Sequence, residues 1–279
     1  MTRVLFLGDI FGKVGRLMIR YFLPDLMARE RIDLALANGE NAAGGVGITP
    51  GCALDLLNCG LSALSGGNHT FKYPEIRPVL EDESSRLIRP ANFPEPCPGR
   101  GHVVLETKSG VRVGFGNLMG RLFMNSSMDC PFRRAETLIQ EMENDGANLT
   151  LIDFHAEATS EKRAMAYFLD GRLGALLGTH THVQTSDAQI LPQGLAYVTD
   201  VGMTGPHGSV IGMNTPETIN VFLTGRNHRF KASTQRVAIE GAIVEFNDLG
   251  KAVSVETIRV KDAREDFFQK PENSPDEPE

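Results

Sequence analysis

Two histidines two residues apart, His180 and His182 in the stretch Gly178-Thr179-His180-Thr181-His182, directly follow the apolar run 173–177. A tight turn after a buried strand can send both imidazoles into one site, and neutral imidazole is the commonest protein ligand for Zn, Fe, Mn or Ni. Four other apolar runs end in the same manner. Residues 4–8 lead to Asp9, residues 34–37 to Glu40 and Asn41, residues 61–65 to Asn68 and His69, and residues 149–154 to His155. The chain has 7 histidines, and the ones at these ends outnumber His102, His207 and His228, which fall in loops or a hairpin. Any one of these polar residues could merely cap a helix or satisfy a turn. Five coincidences of the same kind read as one metal site.

Two carboxylates, two amide oxygens and several imidazoles exceed the needs of a single ion, and no thiolate is among them. Such a set favours two ions bridged by a carboxylate, with Fe, Mn or Zn preferred over Ca or Mg. A pair of ions about 3.5–4 Å apart clamps the attacking and leaving oxygens of a phosphoryl displacement, and lowers the pKa of bound water toward neutrality. No protein nucleophile is then required, and no Gly-x-Ser-x-Gly elbow is present to supply one.

The elements that must hold these residues alternate. Strands at 4–8, 34–37, 61–65, 149–154 and 174–177 are separated by helical patterns at 13–29 (with Pro24 as a candidate kink), 50–59, 133–144 and 159–169. Thr49-Pro50 reads as an N-cap followed by proline at the first helical position. Residues 90–101 form a Pro-rich loop, and 102–106 with 111–115 read as a hairpin. After residue 189 short strands follow at 189–191, 195–199, 219–223, 236–246 and 252–260. The first 180 residues therefore predict a parallel α/β sheet, and the later strands an antiparallel addition packed against it. In open α/β sheets ligands bind beyond the carboxyl ends of the strands, which is where the metal-capable residues stand.

Composition narrows the function classes. A chain of 279 residues, 41% hydrophobic, can bury a large core. No apolar run approaches the roughly 20 residues of a membrane span, and the short run after Met1-Thr2-Arg3 is no signal peptide, so a cytoplasmic protein is expected. Cys52, Cys59, Cys97 and Cys130 form no C-x-x-C pair; Cys52 and Cys59 read as buried small apolar residues on one helix face. Of the net charge of −7, residues 262–279 contribute −5, and this acidic, Pro-rich tail is expected to be disordered. No basic stripe marks a duplex-DNA binder.

The order Asp9, Gly67-Asn68-His69, His155 and Gly178–His182 resembles the calcineurin-like metallophosphoesterases. The usual Asp-x-His opening is here Asp9-Ile10-Phe11, and the usual bridging Asp is Glu40 followed by Asn41. Those departures, with Gly8-Asp9-Ile10, Gly12 to Gly15, the run 38–45 (Asn-Gly-Glu-Asn-Ala-Ala-Gly-Gly) and the run 200–206 (Asp-Val-Gly-Met-Thr-Gly-Pro), resemble a bacterial branch of 2′,3′-cyclic-nucleotide 2′-phosphodiesterases. The resemblance implies a single metallophosphoesterase domain over residues 1–261, built as a β-sandwich of mixed sheets flanked by helices in α-β-β-α layers. It implies two divalent or trivalent ions, iron first with manganese or zinc as alternatives. Asp9, Glu40, Asn41 and His182 would hold one ion; Glu40, bridging, would hold the other with Asn68, His155 and His180. It implies a small-molecule nucleotide phosphoester as substrate and hydroxide attack on phosphorus.

His69 then takes the part of general acid, since it follows a metal-binding Asn without needing to ligate. Many relatives orient this ring with an acid at the next position; here that position is Thr70. The glycines 44–47 leave room for backbone contact with substrate at Gly44 and Gly45, and the stretch 203–207 could border the pocket through Thr204 and His207, or be a tight turn. Arg121 could meet phosphate but reads more simply as exposed. Gly8–Val14 is one residue short of a Walker loop and has Val14 where Ser or Thr belongs. A broader phosphoesterase and a non-enzymatic nucleotide- or RNA-binding regulator stand as alternatives, with RNA and self-association left open.

Overall fold

A computed structural model describes residues 1–124, 127–226 and 230–261. The acidic tail and His228 lie outside the described residues. Strand β1 (Thr2–Leu7) runs into the short β2 (Asp9–Ile10) and helix α1 (Gly12–Arg29), followed by β3 (Leu34–Asn38), α2 (Pro50–Asn58), β4 (Ala63–Ser65) and α3 (Arg77–Glu81). Next come β5 (His102–Glu106), β6 (Arg112–Met119), α4 (Pro131–Asn144), β7 (Leu149–His155), α5 (Thr159–Leu169) and β8 (Ala175–Thr179). Then β9 (Gln189–Ile190), β10 (Ala196–Val198), β11 (Met203–Pro206), α6 (Thr215–Thr224), β12 (Val237–Phe246) and β13 (Ala252–Lys261) complete the chain.

The strands form two mixed sheets. One runs β2-β11-β12-β1-β3-β4 with β13 also on β12; the other runs β5-β6-β7-β8-β10-β9. Period-two alternation divides the burial. Val4 and Phe6 of β1 join Phe115, Leu151, Leu177 and Val244 between the sheets. Leu5 and Leu7, from the same strand, pack with Met18, Ile19 and Leu23 of α1. On the outer side of the second sheet, Ile152 and Leu176 meet Leu138 and Met142 of α4 and Met165 and Leu169 of α5. Helix, sheet, sheet and helix thus stack in the layers that the resemblance implied.

Several expectations change. The partition of strands falls near residue 100 instead of 180, because β11, β12 and β13 return to the first sheet and β12 pairs antiparallel with β1. Residues 219–223, expected as a strand, belong to α6: Pro216 starts the helix, and Gly225 ends it in the left-handed conformation. The stretch 203–207, read as either a pocket border or a tight turn, is largely strand β11, paired parallel with β2 through Met203–Asp9 and Thr204–Ile10. Helix α1 passes through Pro24 as one continuous element. Thr49 caps α2 as expected, accepting from the Cys52 amide at 3.3 Å. Cys52 and Cys59 pack against the core half-buried instead of fully enclosed.

Candidate metal centre

In both sheets the parallel strands deliver their carboxyl ends to one edge. There β1 gives way to Asp9, β3 to Glu40 and Asn41, β4 to Asn68 and His69, β7 ends on His155, and β8 is followed by His180 and His182. The turn after β8 requires close approach: a Cβ on Gly178 would stand 1.8 Å from the Thr199 carbonyl oxygen. His180 and His182 both adopt positive φ, 102° and 63°. Such backbone is costly for a non-glycine residue and is typical of functional sites.

Seen from His155, the donors converge. Its Nε2 lies 3.1 Å from Glu40 Oε1, 3.0 Å from Asn68 Oδ1 and 3.0 Å from His180 Nδ1. Each ring declares its proton through its other nitrogen. His180 Nε2 faces Glu157 Oε2 at 3.2 Å, a carboxylate that favours the proton on that nitrogen and leaves Nδ1 toward the cluster. His155 Nδ1 lies 2.9 Å from Thr179 Oγ1, whose own hydrogen is given to Asp153 Oδ1 at 2.7 Å, so Nδ1 donates and Nε2 is the free side. Three donors at about 3 Å from His155 Nε2, with the Glu40, His155 and His180 atoms all within 4.8 Å of one another, suit a shared ion at metal bonds of about 2.0–2.2 Å. Glu40, His155 and His180 are the compact three-ligand group among the described residues.

A second, looser group adjoins it. His182 donates from Nδ1 to the Ile211 carbonyl at 2.8 Å and aims Nε2 at Asp9 Oδ1, 3.7 Å away. Asn41 sits between, with Nδ2 3.1 Å from His182 Nε2, 3.3 Å from Glu40 Oε1 and 3.4 Å from Asp9 Oδ1. A half-turn of this amide would place Oδ1 among those donors, the orientation an oxygen ligand needs. Ile211 holds its carbonyl in place from a φ of 46°, strained for a β-branched residue. Phe11 packs edge-on against the His182 ring.

Electrostatics agree with a site built for cations. Burial alone would raise Glu40, but His155 and His69 hold it well below the carboxylate range. Burial also opposes the lowering of Asp9 by His182 and His155. For His155 burial favours the neutral ring, yet Glu40 and Asp9 push it up to about 9, so in the metal-free protein a proton takes the place between the donors. His180 is depressed to about 3, first by burial and then by the charge on His155.

His69 stands at the mouth, its side chain 36% exposed. Its backbone amide donates to Glu40 Oε2 at 2.9 Å, and its Nδ1 meets Asn41 Oδ1 at 2.9 Å. Asn41 is thus the ring's orienting partner that Thr70 does not supply; Thr70 instead pins the turn through the Gly67 amide. Gly44 is exposed with open space about it, while Gly45 packs on the Phe11 ring. Thr204 and His207 stay outside the cluster. Thr204 is fully buried in β11, bonded toward the Glu240 carbonyl, and His207 donates to the Met203 carbonyl at 3.1 Å. Glu157, Asp153, Thr179 and Ile211 were not anticipated as site residues. Of these, Asp153 alone carried a signal, as an acid inside an otherwise apolar strand.

A two-sheet sandwich with a metal-ligand cluster at its carboxyl edge defines the metallophosphoesterase class. The family model described as YmdB-like protein matches residues 5–258, and the chain belongs to that family. It is 41% identical over 261 residues to the 2′,3′-cyclic-nucleotide 2′-phosphodiesterase of Bacillus subtilis strain 168, spanning 93% of this chain and 97% of the relative. The crystal structure of a hypothetical protein from Thermus thermophilus has a TM-score of 0.86 at 41% identity, covering 93% of this chain and 99% of that one. That of a novel phosphatase from Mycoplasma pneumoniae has a TM-score of 0.85 at 33% identity and covers 97% of both. The family implies divalent metal ions, and the converging donors fit them.

Proposed function

We propose that this protein is a binuclear metal-dependent phosphodiesterase that hydrolyses 2′,3′-cyclic nucleotides, 2′,3′-cyclic AMP among them, to nucleoside 3′-phosphates. The observation that carries the metal-dependent reading is the meeting of Glu40 Oε1, Asn68 Oδ1 and His180 Nδ1 around His155 Nε2, each about 3 Å from it. The ester class rests on the near full-length likeness to the Bacillus subtilis enzyme.

Asn68, His155 and His180 would hold one ion and Asp9, Asn41 and His182 the other, with Glu40 shared. When bound, the metal pair supplies Lewis-acid charge at the phosphate and activated water. Mixed imidazole, carboxylate and amide donors without thiolate suit iron, which we assign first, then manganese or zinc. With the Asn41 amide turned so that Oδ1 would ligate, its Nδ2 donates to His69 Nδ1, and the proton then carried on Nε2 goes to the ribose 2′ oxygen as its bond to phosphorus breaks. Gly44 and Gly45, next to Phe11, offer backbone amides to the phosphate. Among the described residues no helix is long and apolar enough to cross a membrane, and we take the enzyme to act on free nucleotides in the cytoplasm.

The test is to assay metal-loaded protein on 2′,3′-cyclic AMP, 3′,5′-cyclic AMP and p-nitrophenyl phosphate, with elemental analysis of the same sample. Hydrolysis of the 2′,3′-cyclic ester well above the other two supports the proposal. Faster turnover of the monoester moves the assignment to a phosphatase, and hydrolysis of none refutes an enzyme.

A further inference from the structure

Beneath the cluster lies a carboxylate that no ligand role requires. Asp153, two residues before His155 on β7, is fully buried. It has no cationic side chain in hydrogen-bond contact among the described residues; its partners are neutral donors drawn from both sheets. Oδ2 accepts from Ser65 Oγ of β4 at 2.5 Å and from Asn38 Nδ2 of β3 at 2.9 Å, and Oδ1 accepts from Thr179 Oγ1 of β8 at 2.7 Å. A neutral amide would fill the same volume without the cost of desolvating a charge, so the charge itself calls for an explanation.

Following the hydrogens supplies one. The Thr179 hydroxyl has one hydrogen, and Asp153 takes it. Thr179 Oγ1 can therefore only accept from His155 Nδ1, 2.9 Å away. Asn38 Nδ2 stands 3.4 Å from the same nitrogen, but its two hydrogens are already given to the Gly66 carbonyl and Asp153 Oδ2 at 3.0 and 2.9 Å. The proton is driven onto Nδ1, and Nε2 is left bare toward Glu40, Asn68 and His180. At its other end Asn38 accepts the Glu40 amide at Oδ1, 3.0 Å, so the same carboxylate braces the loop that carries Glu40.

We propose that Asp153 is a positioning residue for the metal centre: acting through Thr179, it sets the polarity of a hydrogen-bond relay that holds His155 in the Nδ1–H tautomer, with Nε2 presented for ligation. The inference rests on the metal-centre reading for its consequence, but the tautomer it assigns can be read in the metal-free protein once the ring is neutral. The relay has a direction, and reversing it is a one-atom change. In Asp153→Asn the amide oxygen takes the place facing Ser65 and Asn38, both donors. The amide nitrogen then faces Thr179, which must accept and turn its own hydrogen onto His155 Nδ1. The same inversion of an acid–imidazole pair selects the wrong tautomer in serine proteases when their buried Asp becomes Asn.

The experiment reads the ring nitrogens of His155 by 15N NMR in metal-free protein, at a pH where the ring is neutral, for wild type, Asp153→Asn, Thr179→Ser and Thr179→Val. Zinc affinity is measured on the same four by chelator competition. Wild type and Thr179→Ser should show Nδ1–H, and Asp153→Asn should show Nε2–H with zinc binding weakened by about 10–100-fold. Thr179→Val, which deletes the relay without reversing it, should fall between. An Nε2–H tautomer in wild type, or an unchanged tautomer in Asp153→Asn, overturns the proposal. Wild-type zinc affinity in Asp153→Asn overturns it as well. If wild type shows Nδ1–H yet no variant binds zinc, the relay stands and the metal-centre reading is the one that fails. Thr179→Ser guards the comparison, since it keeps the hydroxyl while removing a methyl from the same packing.

Discussion

Replacing Gly67 by alanine should empty the metal centre while leaving the fold nearly intact. Gly67 opens the Gly-Asn-His turn after β4, and its φ lies outside the left-handed region, so the backbone itself accepts a side chain. The obstruction is local. An added Cβ would stand 2.2 Å from Glu40 Oε2, 2.5 Å from His155 Nε2 and 2.6 Å from His155 Cδ2, where ordinary contact begins at 3.4 Å. Each of the two side chains would have to retreat by about 1 Å. Metal bonds tolerate roughly ±0.2 Å, so at least one ligand is lost from the ion that His155 helps to hold. A misplacement of about 1 Å at a reacting centre costs on the order of 10²-fold in rate, and overpacking of this size costs about 1–3 kcal/mol of stability. Metal content by elemental analysis, turnover of 2′,3′-cyclic AMP and a urea unfolding curve measure all three. Gly51→Ala serves as control: it lies in α2 with open space where the Cβ would go, and it should change neither metal nor rate. A Gly67→Ala protein with full metal occupancy and normal turnover would refute the convergence of Glu40 and His155 on a common ion.

Three further outcomes follow from the same geometry. His69→Ala should lower turnover by about 10²–10⁴-fold with metal content unchanged, since the ring touches the cluster only through Asn41 and the Glu40 carboxylate; an unaltered rate removes its role as acid. Lys162, buried in α5, donates to the Thr179 carbonyl at 2.7 Å and to Asp200 Oδ2 at 3.0 Å, and Asp200 in turn accepts the Thr181 amide and hydroxyl. Lys162→Met strands that carboxylate and should cost about 3–5 kcal/mol in urea denaturation, while adding Asp200→Asn should restore part of it. In metal-free protein the raised His155, at about 9, contributes stability that is complete below the ordinary histidine value of 6.5 and is lost as pH rises through 9. Denaturation midpoints of wild type should therefore fall over that window, and those of His155→Gln should not.

The strand ends were legible because a parallel α/β sheet puts chemistry where its apolar runs stop, and the runs before Asp9, Glu40, Asn68, His155 and His180 were long enough to read. Residues 219–223 were not, since Ile219, Val221 and Phe222 favour strand by type. A proline at the helix start and Gly225 at its end decided otherwise. Strand β11 was invisible for a different reason. Its partner β2 lies almost 200 residues earlier, and nothing local in Met203–Pro206 announces a pairing made at that distance. That pairing buries Thr204 and is why it lies away from the ligands. The relay under His155 shares the difficulty, with Asn38 and Asp153 separated by 115 residues. Side chains that act across two sheets acquire their meaning only after the sheets have stacked.

The antiparallel pairing of β12 with β1 bears on how the protein is made. Asp9 opens β2, just past the end of β1, and β1 is flanked on one side by β12, which ends at Phe246. A ribosome-bound chain that has just released His182 already holds every proposed ligand, yet the first of them sits on a strand with one neighbour missing. Translation must continue through Phe246 before β1 can be enclosed, so the opening residues wait for nearly the entire polypeptide. Contacts of such separation in sequence are slow to form and leave hydrophobic edges bare in the interval. Metal capture is therefore a late event in biogenesis, and a chain stopped in the 220s should be a client of chaperones instead of an apoenzyme.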